Sequence, residues 1–202
     1  MDAFGIPRPD TTVTVSHSSS AKAIMSTILY GTKLAVVETE SGGDTFRKNL
    51  PIFSVNADIN PDMRPDVVIC PDYGSTIPIA VAEVISTGKT KEQGMYQASM
   101  YAMNMARLYA HYGIQHPGYC IVFPNPKIEE KEKDKKAAFG ISIMKCQWVY
   151  ESCQFLISAE SLNHDQKTIK SGIKKVLPTK KKLSTLMRCF QFGHYSKFIF
   201  KF

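Results

Sequence analysis

Asp66, Glu83, Gln97 and Tyr101 are the residues whose types and settings suggest chemistry. Asp66 opens an otherwise apolar run, Arg64-Pro65-Asp66-Val67-Val68-Ile69-Cys70. Glu83 sits inside a second one, Ile77 to Ile85 (IPIAVAEVI). A carboxylate amid apolar neighbours is costly to bury unless it is paired or coordinates a cation. Two of them on adjoining strands can converge on one point. Hard oxygen ligands there suit Mg2+, which takes few protein carboxylates and keeps several waters. A metal-bound water beside a phosphodiester is a nucleophile, and the ion offsets the charge growing on phosphorus. Gln97 and Tyr101, four apart in a helical pattern, share one face. The plainer alternative is that Asp66 ends a turn after Pro65 and that Glu83 pairs with a Lys or Arg.

The elements that must position these groups are readable in outline. Residues 1–20 read as a flexible lead-in, with Ser20 as a cap for a helix from Ala21. Ile24, Ile28, Gly31, Ala35 and Glu38 recur at helical spacing, although LAVVETE also fits a strand. A short strand at Ile52–Val55 is a weaker expectation. Val67–Cys70 and Ile77–Ile85 flank the turn signal Pro71-Asp72-Tyr73-Gly74, as in a hairpin. Residues 91–112 form the clearest helix, with Met95, Ala98, Ala102, Met105, Tyr109 and Tyr112 on one stripe and Gly113 ending it. Gly118–Phe123 and Phe139–Tyr150 read as strands, the second near an edge. Residues 127–136 read as a charged loop or helix and 151–158 as a short helix. One layered α/β core from 21 to 158 follows.

RPDVV, a hairpin, VAEVI and then a helix carrying QxxxY together resemble the PD-(D/E)xK nuclease superfamily, in its RecB-type and phage-exonuclease-type branch. The resemblance covers roughly residues 21–150. It implies a restriction-endonuclease-like fold, a central mixed sheet flanked by helices in the order αβββαβ. It also implies hydrolysis of phosphodiester bonds in nucleic acid, DNA ahead of RNA, with Mg2+ or Mn2+. Asp66 and Glu83 would then be metal ligands, joined by the carbonyl of Val84 and by Glu38 as the acid of the first helix. Gln97 and Tyr101 would brace the site and contact substrate. The family places a Lys two residues after the second acid, where this chain has Ile85. Lys89 and Lys91, just beyond the strand, are the residues able to replace it. The alternative is a catalytically inactive nuclease fold that binds nucleic acid or regulates.

Bulk composition narrows the remaining classes. The chain has 202 residues, 44% of them hydrophobic, enough for one core. No apolar run reaches the ~18 residues of a membrane span, and the N-terminus lacks the pattern of a secretory signal. Five cysteines without a CxxC argue for a reducing, intracellular setting, nuclear or cytoplasmic, and against a disulfide framework. The net charge of +7 resides in a basic extension over 159–202, where ten Lys/Arg meet two acids. Such a segment suits a polyanion or serves as a targeting tail. Ser86–Thr90 lacks the glycine spacing of a phosphate loop, the five histidines lack ligand spacing, and Ser99 lacks a GxSxG context. An interaction protein with ordinary ion pairs is the third reading.

Overall fold

The computed structural model describes residues 18–32, 34–39, 65–71, 78–85, 88–124, 140–162, 166–179 and 181–188. The expected strand at 52–55 and the charged segment at 127–136 lie outside these residues.

Helix α1 spans Ser18–Ile28. It begins earlier than the Ser20 cap would place it, inside the lead-in expected over 1–20. Ala21, Met25 and Ile28 form its buried stripe, continued by Leu29. The helical pattern does not run on to Glu38. Gly31 takes a positive φ of 79° and breaks it. The chain re-enters as strand β1, Ala35–Glu38. Val36 and Val37, stiff at χ1, favour the extended form.

Strands β2 (Val67–Cys70) and β3 (Ala80–Val84) pair antiparallel, and β1 adds antiparallel to β2. Helix α2, Lys91–His111, then carries the chain across to β4, Gly118–Phe123, which lies parallel to β3. Parallel neighbours require such a crossover. Thr90 and Gln93 start α2 with a capping box, each side chain taking the other's backbone N–H. At its end Ile114 N–H bonds to Tyr109 C=O and Gly113 N–H to Ala110 C=O, with Gly113 at φ 69°. This is the glycine stop read from the sequence.

β5 (Ser142–Val149) and β6 (Gln154–Ser161) complete a six-stranded mixed sheet, in order β1-β2-β3-β4-β5-β6. The expected helix at 151–158 is instead a turn followed by β6, paired with β5 along its whole length. Among the described residues the first six elements run αβββαβ.

Alternation divides the sheet into two faces. Val68, Cys70, Val81, Cys120, Val122 and Met144 pack under α2, against Tyr101, Met105 and Tyr109. Val67, Ile69, Ala82, Val84, Ile121 and Ile143 pack on the other side, with Met25 of α1. Helix α3, Gln166–Val176, joins that second side through Ile169, Ile173 and Val176. Its lysines 167, 170, 174 and 175 stay exposed. Residues 181–188 are helical, and Leu186 reaches the α2 side of the core. β6 therefore runs across the boundary expected after 158, and the described parts of the basic extension place Ile169, Ile173, Val176 and Leu186 in the core. No helix among the described residues is long and apolar enough to cross a membrane.

Candidate active site

Register brings the two acids together. Val67 pairs with Ala82, so one residue further Asp66 stands opposite Glu83. Asp66 shares strand parity with Val68, and Glu83 with Val81, so both carboxylates are on the face covered by α2. Glu83 is only 4% exposed and Asp66 is half-buried.

Backbone groups hold the pair reciprocally. The N–H of Val84 donates to Asp66 Oδ2 at 2.6 Å, a short charge-assisted bond. The N–H of Asp66 donates to Glu83 Oε2 at 3.3 Å. Thr39, which the sequence did not mark, steadies this corner. Its N–H donates to Asp66 C=O at 3.0 Å and its hydroxyl to Pro65 C=O.

A cation and two polar groups line up beside Glu83. Lys89 Nζ lies 3.9 Å from Glu83 Oε1. The same ammonium donates to Gln97 Oε1, and Gln97 Nε2 donates to Tyr101 Oη at 2.8 Å. Burial, then the charge of Glu83, pushes the buried Tyr101 phenol far up, so it stays protonated. The Cys120 thiol on neighbouring β4 is raised by burial first and by Glu83 and Asp66 after it.

Ile85, where the resemblance leads one to expect a lysine, is fully buried under α2. A Cβ built on Gly94 would lie 2.5 Å from Ile85 Cγ1, so helix and strand touch there. An ammonium at 85 would sit inside an apolar cluster, whereas Lys89 reaches Glu83 from the loop. Lys91 stands at the head of α2, two residues on. Val84 contributes its N–H to Asp66 and sends its side chain to the opposite face.

Glu38 does not join the pair. It lies on a strand rather than on the first helix and has the parity of Val36, on the α1 face. There it is 4.0 Å from Lys22 Nζ. The cause is the break at Gly31, which replaces helical periodicity by strand alternation.

Asp66 and Glu83 offer hard carboxylate oxygens on one face, the donor set that suits Mg2+ or Mn2+. Two protein carboxylates are few, but Mg2+ commonly completes its shell with water and substrate phosphate. Among the described residues no group of three or more His, Cys, Asp or Glu side chains is clustered for a metal. No protein-family model, curated protein or solved structure matches this chain.

Proposed function

We propose that this chain is a metal-dependent nuclease of the PD-(D/E)xK type, with a restriction-endonuclease-like core, hydrolysing phosphodiester bonds in nucleic acid, DNA ahead of RNA. One observation carries the reading: Asp66 opposes Glu83 on one sheet face, with the Lys89 ammonium 3.9 Å from Glu83. The order αβββαβ of the described elements and the α2 side chains Gln97 and Tyr101 on that same face support it.

Asp66 and Glu83 would hold the cation. When bound, Mg2+ supplies a water acidic enough to attack and offsets charge on the phosphoryl oxygens. The backbone bonds from Val84 and Asp66 fix the two carboxylates before substrate arrives. Lys89 orients the attacking water and counters negative charge. Gln97 holds the Lys89 ammonium and is itself held by Tyr101. The exposed lysines of α3 add salt-sensitive affinity for phosphates.

The test is cleavage of DNA and RNA with Mg2+ or Mn2+, comparing the unaltered chain with Glu83→Ala. Equal cleavage by both proteins rejects the assignment. A binding-only version of the same fold is favoured by one observation, the apolar Ile85 at the lysine position. Retained DNA binding with no cleavage by the unaltered chain selects it.

A further inference from the structure

A second pocket lies well away from the acids. Its volume is about 120 Å3, and Gln115, His116, Gln147, Trp148, Tyr150 and Glu151 line it. It opens where the loop after α2 meets the end of β5. Ser142, which pairs with Val122 beside Glu83, begins β5, and Trp148 lies six residues along, ~20 Å at the rise of an extended strand.

The chemistry of the pocket is aromatic and hydrogen-bonding together. Trp148 and Tyr150 meet edge to face, ring centroids 6.2 Å apart and planes at 83°. Phe155 backs the indole at 4.7 Å. Two carboxamides and the Glu151 carboxylate supply donors and acceptors around the rings. Among the described residues His116 Nε2 is buried without a hydrogen-bond partner, a costly state. Burial holds its imidazole neutral, with a pKa near 4, and the positive charge of Lys182 acts in the same direction. That lysine is exposed and available to a phosphate.

Size selects among ligands. An apolar cavity of ~150 Å3 admits one benzene ring. A pocket of about 120 Å3 with an open mouth therefore takes one six-membered ring. Aromatic walls give stacking, and a carboxylate accepts from an exocyclic amine such as that of cytosine.

We propose that this pocket binds a single pyrimidine base of a nucleic acid strand, stacked on the Tyr150 ring and meeting the Trp148 indole edge to face. The site is independent of the acid pair, so Glu83→Gln binds the base as the unaltered chain does.

Trp148 is the sole tryptophan, so its emission reports on the pocket directly. The probes are deoxycytidine monophosphate and deoxyribose 5-phosphate, titrated into the full chain in chelator. The expected result is saturable quenching by the nucleotide and none by the sugar phosphate. Tyr150→Ala, at a side chain 42% exposed and outside the core, weakens binding about fivefold or more, the equivalent of ~1 kcal/mol of lost stacking. No saturable response to the nucleotide through the millimolar range overturns the proposal. So does an equal response to the sugar phosphate, or unchanged affinity in Tyr150→Ala.

Discussion

Lys89→Met removes the ammonium beside Glu83 while keeping most of the aliphatic stem. Two unit charges about 4 Å apart interact by ~4 kcal/mol at an effective dielectric of ~20. The Lys89 side chain is 37% exposed, so water and salt screen much of this. The net stability loss is then about 1 kcal/mol, or ~2–4 °C in Tm for a chain of this size. Under the proposed function the catalytic loss is far larger. A side chain that positions and polarises a nucleophile contributes ~10²–10⁴ in rate. Single-turnover cleavage at saturating Mg2+ measures that loss, and a thermal melt measures the stability. Mn2+ affinity should stay equal or rise, because a positive charge has left the site. A cleavage rate within about twofold of the unaltered chain, against the predicted ~10²-fold or greater loss, refutes the role given to Lys89. Weakened Mn2+ binding would also refute it, since Lys89 would then be holding the ligands in place.

Other substitutions probe the frame around the site. Ile85→Lys places an ammonium in the fully buried cluster against Gly94, and urea unfolding should show a loss of ~3–5 kcal/mol without rescue of Lys89→Met. Gly118→Ala drives a Cβ to 2.0 Å from the Ala102 carbonyl oxygen and 2.6 Å from the Ala106 nitrogen. Both are backbone, so the expected cost is ~3 kcal/mol or more, read from the same denaturation curve. His116 falls from an ordinary pKa of 6.5 to about 4 in the fold. Below 6.5 the unfolded chain takes up a proton that the folded chain refuses, so stability drops as pH falls through that window, and above it the group is silent. His116→Gln should flatten this part of the stability-versus-pH curve, and an unchanged slope would exclude the assignment.

How far the sequence reaches depends on whether a feature is set locally. Helix α2 was legible because its stripe from Met95 to Tyr112 repeats within the element and Gly113 acts at its own turn, whereas the Thr90–Gln93 capping box went unread. β2 and β3 were legible as apolar runs, and their antiparallel register brings Asp66 opposite Glu83. Glu38 was misplaced because one glycine, Gly31, converts a helical stripe into strand alternation and so changes the face. β6 escaped because Gln154–Ser161 is exposed along nearly all its length and shows little apolar alternation. α3 escaped because lysines surround its stripe of Ile169, Ile173 and Val176, and the charge drew the reading toward a tail. The choice between Lys89 and Lys91 rests on how the chain turns after β3, a tertiary matter that neither residue's neighbours specify. Thr39 carried no signal at all, since its role is to meet backbone 26 residues away.

Calorimetric titration with Mn2+ tests the shared-cation claim most directly, comparing the unaltered chain with Asp66→Asn and Glu83→Gln. Both replacements keep the side-chain shape and remove one charge. The expected result is one Mn2+ site in the unaltered chain, weakened at least ~10-fold in each variant, the scale of one lost charge-assisted ligand at ~1.4 kcal/mol or more. Unchanged Mn2+ affinity in either variant, or no Mn2+ binding by the unaltered chain, contradicts it.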